Sequence, residues 1–281
     1  MRNLAEYYRP SSLADALELL SRLNAGPIKF DGGARLSAES AYHPGTAVDL
    51  CGLPLAYVES GATGLRIGSL TPLQDIAESL IIQDFAAGII SKSAQAACTS
   101  LMRRWETLAG ALLSADSSGE LLSALLVLDA EVVFQSAKGS FPAPLESFTG
   151  MIAGPASSEP PALFAEVRVP VPMAGMRFGR SRIARTSSDR AILSVTASIR
   201  MTGDLMGDCL IAMSGAGLKA MRIRSVEAVL AGSQAGRETI VSAIRTKSSL
   251  PEIPERPHAS SDYCRAVLPV LIARAIVESS R

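Results

Sequence analysis

The chain has 281 residues, enough to bury a sizeable core in one large domain or in two to three small ones. Its 27 basic residues balance 27 acidic ones, which excludes both the basic surface of a nucleic-acid binder and an acidic tail. No apolar run approaches the roughly 20 residues of a membrane helix. The opening MRNLAEYYRPSSL has no apolar stretch of the secretory type, so a cytoplasmic protein is expected. Cys51, Cys98, Cys209 and Cys264 lie far apart, form no CxxC and have neither His43 nor His258 beside them. Metal and iron–sulfur sites need closely spaced thiolates, so buried reduced thiols and no metal are expected.

Ser11 or Ser12 can cap a helix whose Leu13, Ala16, Leu17, Leu20 and Leu23 share one face. Ile28–Phe30 reads as a strand running into Asp31-Gly32-Gly33, where two glycines let the backbone turn and approach a ligand closely. Ala47–Leu50 and Gly64–Ser69 read as strands, and Pro72 opens a helix from Leu73 to Ser79. Helix is expected over 84–104 and Leu121–Asp129, strand over Glu131–Phe134 and Phe164–Val171, and a loop over Gly154–Pro161. Met173–Arg180 reads as a linker. Beyond it, Arg190–Met201 and Asp208–Ser214 pair around Thr202-Gly203-Asp204, and Ser225–Leu230, Gly236–Thr246 and Asp262–Ser279 are helices. Strands followed by helices point to a separate α+β domain at the C-terminal end.

One stretch, TLAGALLSADSSGEL from Thr107 to Leu121, permits two readings. Its Ala, Leu and Glu favour a helix that continues from residue 94. Its glycine and small residues also suit a turn whose backbone N–H groups cradle a phosphate.

Several strings, in order, resemble the FAD-binding medium subunit of the molybdenum hydroxylases, the xanthine dehydrogenase and carbon monoxide dehydrogenase family. They are Tyr8-Arg9-Pro10-Ser11-Ser12-Leu13, Asp31-Gly32-Gly33-Ala34-Arg35-Leu36, Val48-Asp49-Leu50, Gly64-Leu65-Arg66-Ile67-Gly68-Ser69-Leu70-Thr71, LLVLDAEV at Leu125–Val132, and Ala259–Arg265 with Ala273-Arg274-Ala275. The resemblance implies an α+β fold: a two-part α/β FAD-binding domain of the vanillyl-alcohol-oxidase/CO-dehydrogenase flavoprotein type, then a C-terminal α+β domain. The implied boundaries are 1–55, 56–175 and 176–281.

It also implies a function. Such a subunit is the flavoprotein component of an oxidoreductase. It takes electrons from a two-cluster iron–sulfur small subunit and passes them to NAD or another acceptor, while a molybdopterin-binding large subunit oxidises the substrate. The implied FAD contacts are Lys29, Asp31, Gly32, Gly33, Ala34, Arg35 and Leu36 in one loop, Thr107, Leu108, Ala109, Gly110 and Ala111 in the other, and Glu120. No catalytic residue and no metal ligand are expected in this chain.

The resemblance is imperfect where it matters. Ala109 stands where the family has glycine and Ala111 where it has asparagine, and Asp31 sets a carboxylate beside the expected phosphates. An alanine forced to positive φ costs on the order of 1 kcal/mol, and a lost hydrogen bond about as much. Together they weaken binding by roughly one to two orders of magnitude. A flavin-poor or flavin-free adapter subunit of the same complex is therefore the rival reading. Tyr7, Tyr8 and Tyr263 are expected to serve core or interface packing.

Overall fold

A computed structural model of the chain describes residues 6–23, 46–113, 119–147, 162–186, 189–215, 217–256 and 259–279. The expected strand Ile28–Phe30, the loop Lys29–Leu36 and the loop Gly154–Pro161 lie outside the described residues. Mixed helix and strand in separate cores give the α+β class expected above.

The chain opens with β1 (Glu6–Tyr8), parallel to β2 (Thr46–Val48), and α1 (Leu13–Leu23). Ser12 caps α1: its hydroxyl accepts the Asp15 N–H at 3.1 Å, while Ser11 donates to the Asp15 carboxylate at 2.9 Å. Ala16, Val48, Leu50, Leu53, Leu55, Leu70 and Leu163 form a small core beneath α1.

A five-stranded antiparallel sheet follows, built from β3 (Val58–Gly61), β4 (Gly64–Gly68), β5 (Glu131–Ser136), β6 (Gly139–Pro144) and β7 (Ala162–Pro170), in the order β3-β4-β7-β5-β6. Between β4 and β5 run the helices α2 (Leu73–Glu78), α3 (Leu80–Asp84), α4 (Ile89–Ala97), α5 (Ser100–Arg103), α6 (Leu108–Leu113) and α7 (Gly119–Leu126). Leu65, Ile67 and Val167 on the sheet and Leu73, Ile90, Leu108 and Leu125 on the helices join in one core.

The helix expected over 84–104 is broken twice. Ala86, Ala87 and Gly88 form a left-handed turn with φ of 49°, 54° and 69°, a conformation that costs each alanine about 1 kcal/mol or more. Lys92 grips it by donating to the Ala87 carbonyl at 3.1 Å. Extended backbone at Cys98 and Thr99 makes the second break, and Thr99 starts α5.

Met173–Arg180 is no linker. Met176–Ile183 is the strand β8, and it forms the edge of a second antiparallel sheet with β9 (Leu193–Thr202), β10 (Leu205–Gly215) and β11 (Leu218–Arg222), in the order β11-β10-β9-β8. The error has a physical source: Gly175 and Gly179 read as linker punctuation. Gly179 is there for close approach, since a Cβ would lie 2.0 Å from the Ala275 carbonyl oxygen. That carbonyl belongs to α10 (Ser261–Ser279), which covers one sheet face beside α8 (Arg224–Leu230) and α9 (Arg237–Lys247). Alternation decides the faces. Leu193, Val195, Ala197 and Ile199 of β9 and Cys209, Ile211 and Met213 of β10 share a core with α8–α10. Leu210 and Ala212, one residue out of phase, turn to the first core, where α7 packs on the sheet.

Candidate cofactor site

The turn before α6 follows neither of the two readings made for it. Trp105 closes a turn after α5, and Thr107 then pairs as an isolated bridge with Pro72: Leu73 donates to the Glu106 carbonyl at 2.8 Å and Leu108 donates to the Thr71 carbonyl at 2.9 Å. Thr107 then starts α6, its hydroxyl accepting the Gly110 N–H at 3.2 Å. The segment is thus neither one helix from residue 94 nor an open loop.

The donor set of this turn is already engaged. The Leu108 N–H meets Thr71, Ala109 meets Ser69 at 2.8 Å, Gly110 meets the Thr107 hydroxyl and Ala111 meets the Thr107 carbonyl at 2.9 Å. Thr107, Leu108, Ala109, Gly110 and Ala111 are all buried. Thr107–Ala111 therefore forms a wall, and its N–H groups do not fit the role of an open phosphate cradle. Lys29, Asp31, Gly32, Gly33, Ala34, Arg35 and Leu36 lie outside the described residues, so of the implied contacts the structure describes only the second loop and Glu120.

Glu120 sits in the first turn of α7 with its side chain 6% exposed. Its Oε1 lies 3.0 Å from the Arg180 guanidinium and 3.1 Å from Arg182 Nε. Arg180 also donates to the Lys92 carbonyl at 2.7 Å, and Arg182 to the Asp189 carbonyl at 2.5 Å. One carboxylate thus joins α7 to the edge strand of the second sheet, and Arg180 reaches α4 as well. Arg180 was missed because Met173–Arg180 read as a linker, and Arg182 because no element was read between that linker and Arg190. The signal was Phe178, Arg180 and Arg182 in strict alternation, with arginine on the inward face.

Of the tyrosines expected to pack, Tyr8 is half-buried against the small core beneath α1, while Tyr7 and Tyr263 are exposed in this chain; Trp105 is exposed as well. Tyr7 donates to Asp49 at 2.5 Å, and that hydrogen bond raises its pKa. Of the four thiols expected to be buried, Cys209 and Cys264 are. Cys51 is exposed and Cys98 is half-buried. Burial, with Glu227 nearby, pushes the Cys209 pKa up to about 12, so this thiol stays protonated.

A second acidic centre lies on the outer face of the five-stranded sheet. Glu166 accepts from Tyr57 at 2.5 Å, Arg66 Nε at 3.0 Å and Arg168 at 2.7 Å. Burial pushes this carboxyl up, and the hydrogen bonds from Tyr57, Arg66 and Arg168 more than undo it, leaving the pKa lowered. Tyr57 goes to about 12, first by burial and then by its bond to Glu166. Among the described residues no group of three or more His, Cys, Asp or Glu side chains is placed to hold a metal ion, and no helix is long and apolar enough to cross a membrane.

Residues 2–172 match the family described as the FAD binding domain in molybdopterin dehydrogenase, and residues 181–279 match the CO dehydrogenase flavoprotein C-terminal domain. Among curated relatives, the glyceraldehyde dehydrogenase medium chain of Sulfolobus acidocaldarius is 26% identical over 277 residues, 97% of each chain. The nicotine 6-hydroxylase medium subunit of Paenarthrobacter nicotinovorans is 26% identical over 97% of this chain and 96% of its own. Among solved structures, the carbon monoxide dehydrogenase of Hydrogenophaga pseudoflava superposes with a TM-score of 0.85 at 21% identity, over 98% of this chain and 96% of that one. Quinoline 2-oxidoreductase of Pseudomonas putida 86 gives 0.85 at 20% identity over the same shares. The chain belongs to the flavoprotein medium subunits of the molybdenum hydroxylases, an oxidoreductase family whose cofactor is FAD.

Proposed function

We propose that this chain is the electron-transfer subunit of a molybdenum hydroxylase complex, taking electrons from an iron–sulfur partner subunit and passing them to NAD or another acceptor. Substrate oxidation belongs to a molybdopterin-binding partner. The observation that carries the reading is the match of residues 2–172 to an FAD binding domain of molybdopterin dehydrogenases. FAD, when bound, supplies the redox chemistry; the protein holds and orients it. We assign residues 1–55 and 56–175 to the two halves of the cofactor clamp and 176–281 to the domain that closes it.

In this reading Gly32, Gly33 and Ala34 supply backbone donors, and Lys29 and Arg35 offset the Asp31 carboxylate. Thr107, Leu108, Ala109, Gly110 and Ala111 form the buried wall against which the cofactor rests. Leu36 belongs to the first loop's contacts with the cofactor, and Glu120 fixes the start of α7. A flavin-free adapter is the second reading, and one observation favours it: every backbone donor from Leu108 to Ala111 already has a partner inside the chain.

A visible spectrum of the purified chain, before and after incubation with FAD and desalting, separates the two. Retained bands near the flavin's ~370 and ~450 nm support the electron-transfer reading. A protein that stays colourless with excess FAD overturns it in favour of the adapter.

A further inference from the structure

Ala86, Ala87 and Gly88 take three left-handed conformations in succession, with ψ of 45°, 26° and 21° beside their positive φ values. Glycine is at home there, but the Cβ of each alanine crowds the following carbonyl oxygen. Two such alanines in a row persist only where the surroundings dictate the backbone.

The grips on this turn come from both parts of the chain. Within the first part, Ile89 donates its N–H to the Ala86 carbonyl and Lys92 donates to the Ala87 carbonyl at 3.1 Å. Gln83 before the turn and Ser91 after it both donate to the Ala77 carbonyl of α2, at 3.2 and 2.6 Å. From the second part, β8 lies against the turn. Its Phe178 borders the same core as Phe85 and Ala86. Two residues on, Arg180 donates to the Lys92 carbonyl at 2.7 Å while its other terminal nitrogen lies 3.0 Å from Glu120. Lys92 is therefore the link: its side chain holds the turn, and its carbonyl is held by β8.

We infer that Ala86–Gly88 is a strained hinge kept left-handed by the docking of β8. The hinge and the seam where α4 and α7 meet the second sheet open and close as one. Docking β8 costs the strain of the two alanines; withdrawing it frees the Lys92 carbonyl and lets them relax. A ligand or partner subunit that binds one state of the seam better thus also resets the start of α4.

The test uses the purified full-length chain without added cofactor, read by thermal unfolding and amide hydrogen exchange. Ala86→Gly and Ala87→Gly remove the crowding, and each raises Tm by about 2–4 °C. Arg180→Lys keeps a cation beside Glu120 but lacks the fork that spans Glu120 and the Lys92 carbonyl. In that background the turn relaxes, so the gain from Ala87→Gly shrinks, and the Ile89 amide exchanges roughly tenfold faster than in the parent. Adding Ala87→Gly slows it again, because glycine holds the left-handed form unaided. The parent alone gives a further readout: under rising urea, residues 85–92 and β8 lose protection together. Glycine variants that do not raise Tm show that the turn stores no strain and overturn the hinge. A full gain from Ala87→Gly in the Arg180→Lys background, or a turn that opens at lower urea than β8, makes the strain local and overturns the coupling.

Discussion

The outer face of the five-stranded sheet and the seam against α7 each bury one glutamate between two arginines. On the sheet face, Glu166 and its partners Arg66 and Arg168 sit on two neighbouring strands, β4 and β7. The arginines stay 48% and 44% exposed, so water shares their charge. In the seam, Glu120 meets Arg180 and Arg182, which are 16% and 22% exposed and belong to the other sheet. Two further acid–arginine pairs span the same seam, Asp129 to Arg222 at 3.1 Å and Glu146 to Arg224 at 2.5 Å. In all three the acid comes from the first part of the chain and the arginine from the second. Similar ingredients therefore decorate a surface in one place and latch two cores together in the other.

Removing each glutamate should affect the two sites to different degrees. Glu120→Ala leaves two largely buried guanidiniums without a counter-charge, and stability should fall by about 3–5 kcal/mol in urea denaturation. Because the latch spans two cores, the second sheet should unfold at lower urea than the first and split the transition. One transition at an unchanged midpoint would show that the latch contributes nothing. Glu166→Ala should cost less, about 1–2 kcal/mol, since exposed arginines recover water when their partner goes. Its transition should stay single, and a larger loss than at Glu120 would reverse the ranking.

Much of the fold was legible because it rests on local patterns. The cap at Ser12, the alternation of Gly64–Gly68, Pro72 ahead of α2 and Gly203 at the β9–β10 turn all came from neighbouring residues. β6 was missed because Pro142 and Pro144 read against a strand; it is an edge strand paired only with β5, so neither missing N–H breaks an inner ladder. β8 was missed because Gly179 serves a contact with Ala275, 96 positions away in the chain, which no local pattern announces. The site was legible to the same degree. Family strings pointed to Thr107–Ala111 and Glu120, but the partners that decide their chemistry are distant in sequence. Ser69 and Thr71 take up the donors of the turn, and Arg180 and Arg182 take up the acid.

The smallest effect is expected at the exposed cluster on the five-stranded sheet. Tyr57 donates to Glu166, and Arg66 stacks 5.7 Å from its ring centre. Its pKa is raised from 10.0 to about 12 in the folded chain. A group whose folded pKa is raised contributes stability that is complete below the unfolded value and lost as pH climbs through the folded one. Thermal unfolding should therefore show an alkaline decline between pH 10 and 12 that Tyr57→Phe flattens. The acid side runs the other way. Glu166 is held below its ordinary range, so its contribution is complete above the unfolded value of 4.5 and fades as pH falls below it. Glu166→Gln should flatten that acid limb while leaving part of the alkaline one, because burial, the larger cause at Tyr57, survives the substitution. If both variants track the parent across the whole range, this cluster is an ornament of the surface, and the pH dependence of folding arises elsewhere.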